Sequence, residues 1–129
     1  VTDRVWTWLR EEMIFAIHDQ QIAEHGGLAG VRDMASVQSA LARPRNLAAY
    51  DEPDAAALAA AYAYGLARSH GFLDGNKSTA YVAALVFLLV NGCEFTGSDV
   101  ESIDVMMALV AGRIEEAVLA AWFRDDIDY

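Results

Sequence analysis

Ten consecutive residues, Tyr81 to Val90, are apolar without interruption. A helix built from them has no face to offer water, so other helices must pack around it, which marks it as the central helix of a bundle. The whole apolar run, Ala80 to Val90, is about half of the roughly 20 residues that a membrane span requires, and it reads as a buried helix instead. Elsewhere the apolar residues recur at helical spacing and nowhere alternate in the strand manner for more than a few positions. The expected fold class is all-α: a compact bundle of about six helices, formed as one domain by residues 1–129.

The punctuation of the chain places those helices. The first is expected from Thr7 to Glu24, with Leu9, Met13, Phe15 and Ile17 on its buried side and Gly26-Gly27 ending it. Leu28 to Arg32 is loop. A short helix from Asp33 to Ala42 closes before Pro44, whose ring disfavours helical geometry at Arg43, and residues 44–53 form an irregular connection. Asp54 caps an Ala-rich helix, Ala55 to Ser69, and the apolar helix runs from Asn76 or Lys77 to the Asn91-Gly92 stop. Ser98-Asp99-Val100-Glu101 is a capping box for a helix from Asp99 to Ala111. The last helix spans Ile114 to Phe123, and the acidic tail Asp125 to Tyr129 frays. Trp6, Trp8 and Trp122 read as packing residues.

Charge narrows the partners. Acidic residues outnumber basic ones by 19 to 9, a formal net charge of -10, so the field of the whole molecule repels nucleic acid and anionic lipid. Neither direct nucleic-acid binding nor membrane association is expected. Cys93 is the single cysteine, so no disulfide can form within the chain, and Val1 to Arg10 lack the pattern of a signal peptide. A reducing cytoplasm fits these features. Among the basic residues only one is lysine, Lys77.

That lysine lies in the most informative segment, His70-Gly71-Phe72-Leu73-Asp74-Gly75-Asn76-Lys77-Ser78-Thr79, a polar loop wedged between two apolar helices. Gly75 permits a sharp turn, and the amides that follow open a helix whose N-terminus favours phosphate. A lysine in this first turn opposes the helix dipole by a few tenths to about 1 kcal/mol, which a bound anion would offset. Asp74 offers a hard oxygen ligand for Mg²⁺ beside such an anion. His70 supplies an imidazole that can accept a proton at neutral pH, and Phe72 between them points inward to anchor the loop. Taken singly, each residue also fits a plain helix corner, with Asp74 or Asn76 as a cap and His70 at a helix C-terminus. His18 and His25, seven residues apart, form no convincing metal set with Cys93; His18 and Asp19 read as structural, fixing the glycine loop or lining a groove.

In sequence order, His-x-Phe-x-Asp-Gly-Asn-Lys resembles the core signature of the Fic/Doc family over eight consecutive positions. His18-Asp19 followed by Gly26-Gly27-Leu28-Ala29-Gly30 is similar to the first helix and glycine loop of its Doc (death on curing) toxin branch, and Arg43-Pro44 ahead of the Ala-rich helix fits as well. The resemblance implies ATP and Mg²⁺ as cofactors, with His70 as base on a target hydroxyl, Asp74 as metal ligand, and Gly75, Asn76, Lys77 and Ser78 around the phosphates. It further implies a toxin of a toxin-antitoxin module that transfers phosphate to a protein, elongation factor Tu in the family, and so blocks translation. Lys77, where many AMP-transferring members carry Gly, favours phosphate over AMP transfer. The chain also lacks the Ser/Thr-x-x-x-Glu-(Gly/Asn) sequence with which many Fic proteins plug their own site. Inhibition is therefore expected from a separate, Phd-like antitoxin segment folding into a groove beside the motif. Ser78 departs from the family's arginine, exchanging five N–H donors for one hydroxyl. An adenylyltransferase and a catalytically dead Fic-like binding module are the alternatives.

Overall fold

The computed structural model describes residues 5–129, so only the reading of Val1–Arg4 falls outside it. Six helices follow in order: α1 (Glu11–His25), α2 (Met34–Tyr50), α3 (Ala55–Ser69), α4 (Asn76–Val90), α5 (Asp99–Val110) and α6 (Glu116–Asp125). Two short strands, β1 (Glu94–Phe95) and β2 (Ile127–Asp128), pair antiparallel with Phe95 opposite Ile127. The all-α class is correct. Among the described residues, none of the helices is long and apolar enough to cross a membrane.

The centre of the bundle is α3, not the apolar α4. Every residue from Leu58 to Ala63 is fully buried, and α3 packs against α4, α2 and α6 together. Alanine explains this, because methyl side chains let three helices approach one axis closely. α4 buries Thr79, Ala80, Ala83, Ala84, Phe87 and Leu88 but leaves Leu89 66% exposed.

Four boundaries differ from expectation, three of them for a tertiary reason. α1 begins at Glu11 rather than Thr7, because the preceding segment is held extended. The Asn91 side chain accepts from the Thr7 amide and donates to its carbonyl, while the Leu9 amide donates to the buried Tyr62 hydroxyl. Met13, expected inside, faces outward, and Ile14 takes its place in the core.

α2 does not stop at Ala42 but continues through Pro44 to Tyr50, leaving only a short link where residues 44–53 were expected to be irregular. Pro44 removes the donor for the Ala40 carbonyl, a loss typical of helix-interior proline that costs about 3 kcal/mol. Packing outweighs it. Val37, Ala40 and Pro44 form one buried stripe against α3, and Gly65 lies so near Ala40 that a Cβ there would come within 3.2 Å of its Cα. α6 starts at Glu116, and the tail does not fray: the Thr96 amide and hydroxyl both donate to the Asp126 carbonyl, closing the β1–β2 pair.

Asp54 joins two of these elements. Its carboxylate caps α3 by accepting from the Ala57 amide and receives the Arg124 guanidinium of α6 at 2.6 and 2.9 Å. The Arg124 hydrogen bonds, followed by the capping bond, hold its carboxyl below the ordinary 3.8. A carboxyl depressed by folding stabilises the protein above its unfolded pKa and loses that contribution as pH falls through the folded value. Asp54→Ala is therefore expected to cost about 1 kcal/mol at neutral pH, chiefly through the lost cap. In urea titrations, the difference from the parent chain should shrink below pH 3.8.

Candidate functional site

The loop between α3 and α4 is shaped by main-chain bonds before any catalytic side chain is considered. α3 ends at His70, which is the only non-glycine residue with positive φ among those described (φ 52°, ψ 40°). Such a conformation is uncommon outside glycine and persists where surroundings enforce it. Here they do. The Arg32 guanidinium donates to the His70 carbonyl at 2.8 Å, and the amides of Arg32 and Asp33 both donate to the Gly71 carbonyl. The Leu73 amide donates to the Gly30 carbonyl, and Val31 pairs with Phe72 as an isolated bridge.

Phe72 is the pin of the loop. Its ring is buried at 2% exposure, stacked on the His18 imidazole of α1 at 3.9 Å between centroids and 12° between planes, with Phe15 edge-on at 5.9 Å. The Asn76 side chain closes on its backbone, accepting from the Phe72 amide and donating to the Phe72 carbonyl, each at 3.0 Å. With its side-chain oxygen and one Nδ2 proton engaged on Phe72, Asn76 keeps its second Nδ2 proton and its main-chain amide for an anion. His18 Nε2 donates to the Asp74 carbonyl at 2.8 Å, so the same imidazole that covers Phe72 also fixes the next turn.

Asp74 is exposed, and its orientation comes from the glycine loop. Its Oδ2 accepts from the Leu28 amide at 2.6 Å. Gly27 makes the approach possible: with φ +110°, a Cβ there would lie 2.9 Å from the Asp74 Cβ. Oδ1 accepts no hydrogen bond from the described residues and is available to a ligand.

α4 then opens on Gly75 in the left-handed region, with no side chain capping its first amides. An uncapped helix start presents N–H groups and the positive end of the dipole to the loop. Lys77 is exposed in this turn, and Ser78, half-buried, donates to the Gly75 carbonyl at 3.4 Å. Both line a cleft of about 770 Å³ between the end of α1 and the faces of α4 and α5, with Gln21, Glu24, Tyr81 and Met106 among its walls.

His70, Asp74, the α4 amides and Lys77 are thus brought to one loop and its first helical turn. The donor set suits a phosphate held by the helix start and Lys77, with Asp74 offering the carboxylate oxygen of the loop itself and Glu24 and Asp99 lying in the wall of the adjoining cleft. No cluster of three or more acidic, His or Cys ligands exists among the described residues. A lone carboxylate fits Mg²⁺ that is bound largely through substrate phosphates, which is this ion's usual mode. His18 and His25 diverge, the first buried against Phe72 and the second exposed beside Glu24. Sequence reasoning missed Arg32 and the Leu28 amide, whose roles arise from main-chain geometry that leaves no periodic signal. For Asn76 it missed the grip on Phe72.

Comparisons with known proteins give the family. Residues 8–88 match the family described as Fic/DOC, a span that contains α1 to α3, the motif loop and most of α4. The chain is 34% identical to "Protein kinase doc" of Escherichia phage P1, over 88% of this chain and 90% of the relative. It is 40% identical to "Toxin Doc" of Mycolicibacterium smegmatis, over 68% of this chain and 70% of the relative. With the loop, its glycine-rich support and these relatives in agreement, the chain belongs to the Fic/DOC family, in its Doc branch.

Proposed function

We propose that this chain is a Doc-type toxin that transfers the γ-phosphate of ATP to a hydroxyl group of a protein. One observation carries the reading: the uncapped start of α4, with Lys77 in its first turn, shares a rigid loop with an exposed imidazole and an exposed carboxylate. The names of the relatives, a protein kinase and a toxin, point the same way.

In this reading His70 accepts the proton of the target hydroxyl as its oxygen bonds to the γ-phosphorus and the bridging bond to the β-phosphate breaks. The amides of Asn76, Lys77 and Ser78 and the Lys77 ammonium hold phosphate oxygens. Asp74 would hold Mg²⁺, which when bound neutralises charge on the phosphates. The target is a translation factor of the elongation factor Tu kind, and the working compartment is the cytoplasm. The antitoxin contributes a Phd-like segment that lies along the cleft between α1, α4 and α5. That cleft has a mostly apolar wall in which Tyr81, Val82, Ile103 and Met106 take part, and it opens beside Lys77 and Ser78, so an occupant there would obstruct the phosphate site.

Ser78 favours a second reading, a nucleotide-binding module without turnover. Its hydroxyl reaches only the Gly75 carbonyl, where an arginine would offer paired donors to a phosphate.

His70→Ala and Asp74→Asn are both expected to abolish transfer, by different routes. Loss of the base should reduce single-turnover transfer by about 10² to 10⁴ while leaving ATP binding intact; loss of the carboxylate should remove the Mg²⁺ dependence of ATP binding. Equilibrium dialysis with labelled ATP, with and without Mg²⁺, separates the two, and normal transfer by His70→Ala overturns the mechanism. Label followed from the α- or γ-position distinguishes AMP from phosphate transfer.

Ser78→Arg is expected to raise transfer by about 10- to 100-fold at saturating ATP, the equivalent of one additional charge-assisted hydrogen bond in the transition state. The cleft of about 770 Å³ gives the longer side chain room. Rates for the two proteins that are equal and above background would show that Ser78 is fully competent. Equal rates at background would support the binding module.

A further inference from the structure

On another face of the bundle, the seam between α2 and α3 carries a groove of about 420 Å³ whose polar lining is Ser36, Ser39, Arg43, Tyr64, Arg68 and Ser69. Two guanidiniums and three serines line it in a chain whose acidic residues outnumber its basic ones by 19 to 9, and the carboxylates that reach this lining are Asp33, bonded to Ser36, and Glu116, bonded to Arg43. The Tyr64 ring organises the charges: Arg43 lies over it at 4.7 Å from the centroid and Arg68 at 5.4 Å. Arg43 is already paired with Glu116 of α6. Arg68 is different. It has no carboxylate at ion-pair distance among the described residues, and passes beside Gly112 after α5. A guanidinium stacked on a ring retains its in-plane N–H groups for acceptors, and the side chain of Ser39, exposed on α2, has no hydrogen-bond partner among the described residues. Ser69, which also lines the groove, is the residue before His70.

The geometry points to this α2–α3 groove as a docking site for an acidic segment of a partner protein, its Asp or Glu side chains received by Arg68 and the Ser39 hydroxyl and flanked by Arg43, while the Ser36 and Ser69 hydroxyls already donate to Asp33 and to the Leu66 carbonyl. A short carboxylate-bearing segment fits better than nucleic acid, because the unpaired Arg68 beside the already paired Arg43 answers one or a few negative charges while the net charge of -10 opposes a long polyanion. Since Ser69 in the groove wall adjoins His70 in the chain, the occupant assigned to it is the protein whose hydroxyl is modified. That identification rests on the transferase proposed above, whereas the binding itself does not.

The test is fluorescence anisotropy of the full chain with a labelled Glu-Gly repeat peptide, its Lys-Gly counterpart and a single-stranded oligonucleotide of equal charge to the first. The Glu-Gly peptide should bind, more weakly as salt rises, and the Lys-Gly peptide should not compete with it. Arg68→Gln should weaken binding by up to about fivefold, the scale of one exposed ion pair. Ser39→Glu, an exposed change that leaves the Arg43–Glu116 pair untouched, should weaken it at least as much. Absence of binding, affinity unaffected by both variants, or tighter binding of the oligonucleotide would each overturn the proposal. Binding that obeys these variants in a chain that transfers nothing would uphold the groove and refute the transferase.

Discussion

The stacking of His18 on Phe72 holds the site together. Phe72 is buried because α1 and the motif loop close on it, and His18 then has one ring nitrogen at hydrogen-bond distance from the Asp74 carbonyl. One aromatic contact thus couples the hydrophobic core to the placement of a polar turn. Asn76 completes it from α4 by satisfying both polar groups of the Phe72 backbone, which would otherwise be orphaned where the chain dives inward. The exposed residues His70, Asp74 and Lys77 are left with little positional freedom of backbone although their side chains face solvent, which is the arrangement that oriented chemistry requires.

The glycine-rich segment after α1 is the second half of this device. Gly30 and Arg32 take hold of the loop by main-chain bonds, and Gly27 and Leu28 hold the Asp74 carboxylate. Segments more than forty residues apart in sequence build the carboxylate's environment, so neither half has meaning alone. This is why the likeness to the family depends on both the His-x-Phe-x-Asp-Gly-Asn-Lys run and the upstream Gly-Gly-Leu-Ala-Gly run.

Much of the bundle was legible because local signals and packing agree. Asp54 and Ser98 cap α3 and α5 where the sequence places them, and the Ala-rich and apolar helices have their expected lengths. Where they disagree, packing prevails. Pro44 signals a helix stop, yet the apolar period of Val37, Ala40, Leu41, Leu47 and Ala48 runs through it, and burial against α3 carries the helix onward. Thr7 to Arg10 have helical company in sequence but are drawn straight by Asn91 and Tyr62, partners 84 and 53 residues away. The central position of α3 was obscured because hydropathy ranks Leu and Phe above Ala, whereas close approach of three neighbours ranks Ala first. In the site, residue types and order were visible; the bonds from Arg32 and Leu28 were not, since they depend on backbone path.

The departure at Ser78 acquires its meaning from the same division between scaffold and chemistry. The bonds that shape the loop come from His18, Asn76, Arg32 and main-chain amides, and Ser78 adds only a 3.4 Å contact to the Gly75 carbonyl. A substitution at 78 therefore leaves the fold and the backbone anion donors of α4 intact, because amides do not depend on the side chain they carry. In the proposed transferase, what serine at this position would forgo is a bidentate cation near the cleft, the kind of group that follows charge as it redistributes during transfer. Lys77 supplies charge from the adjacent position but as a point donor, about 100° round the helix axis from Ser78. In the transferase proposed above, binding and turnover would therefore be separately adjustable at this helix start, the backbone and Lys77 holding the anion and position 78 setting how well the site follows it to the transition state.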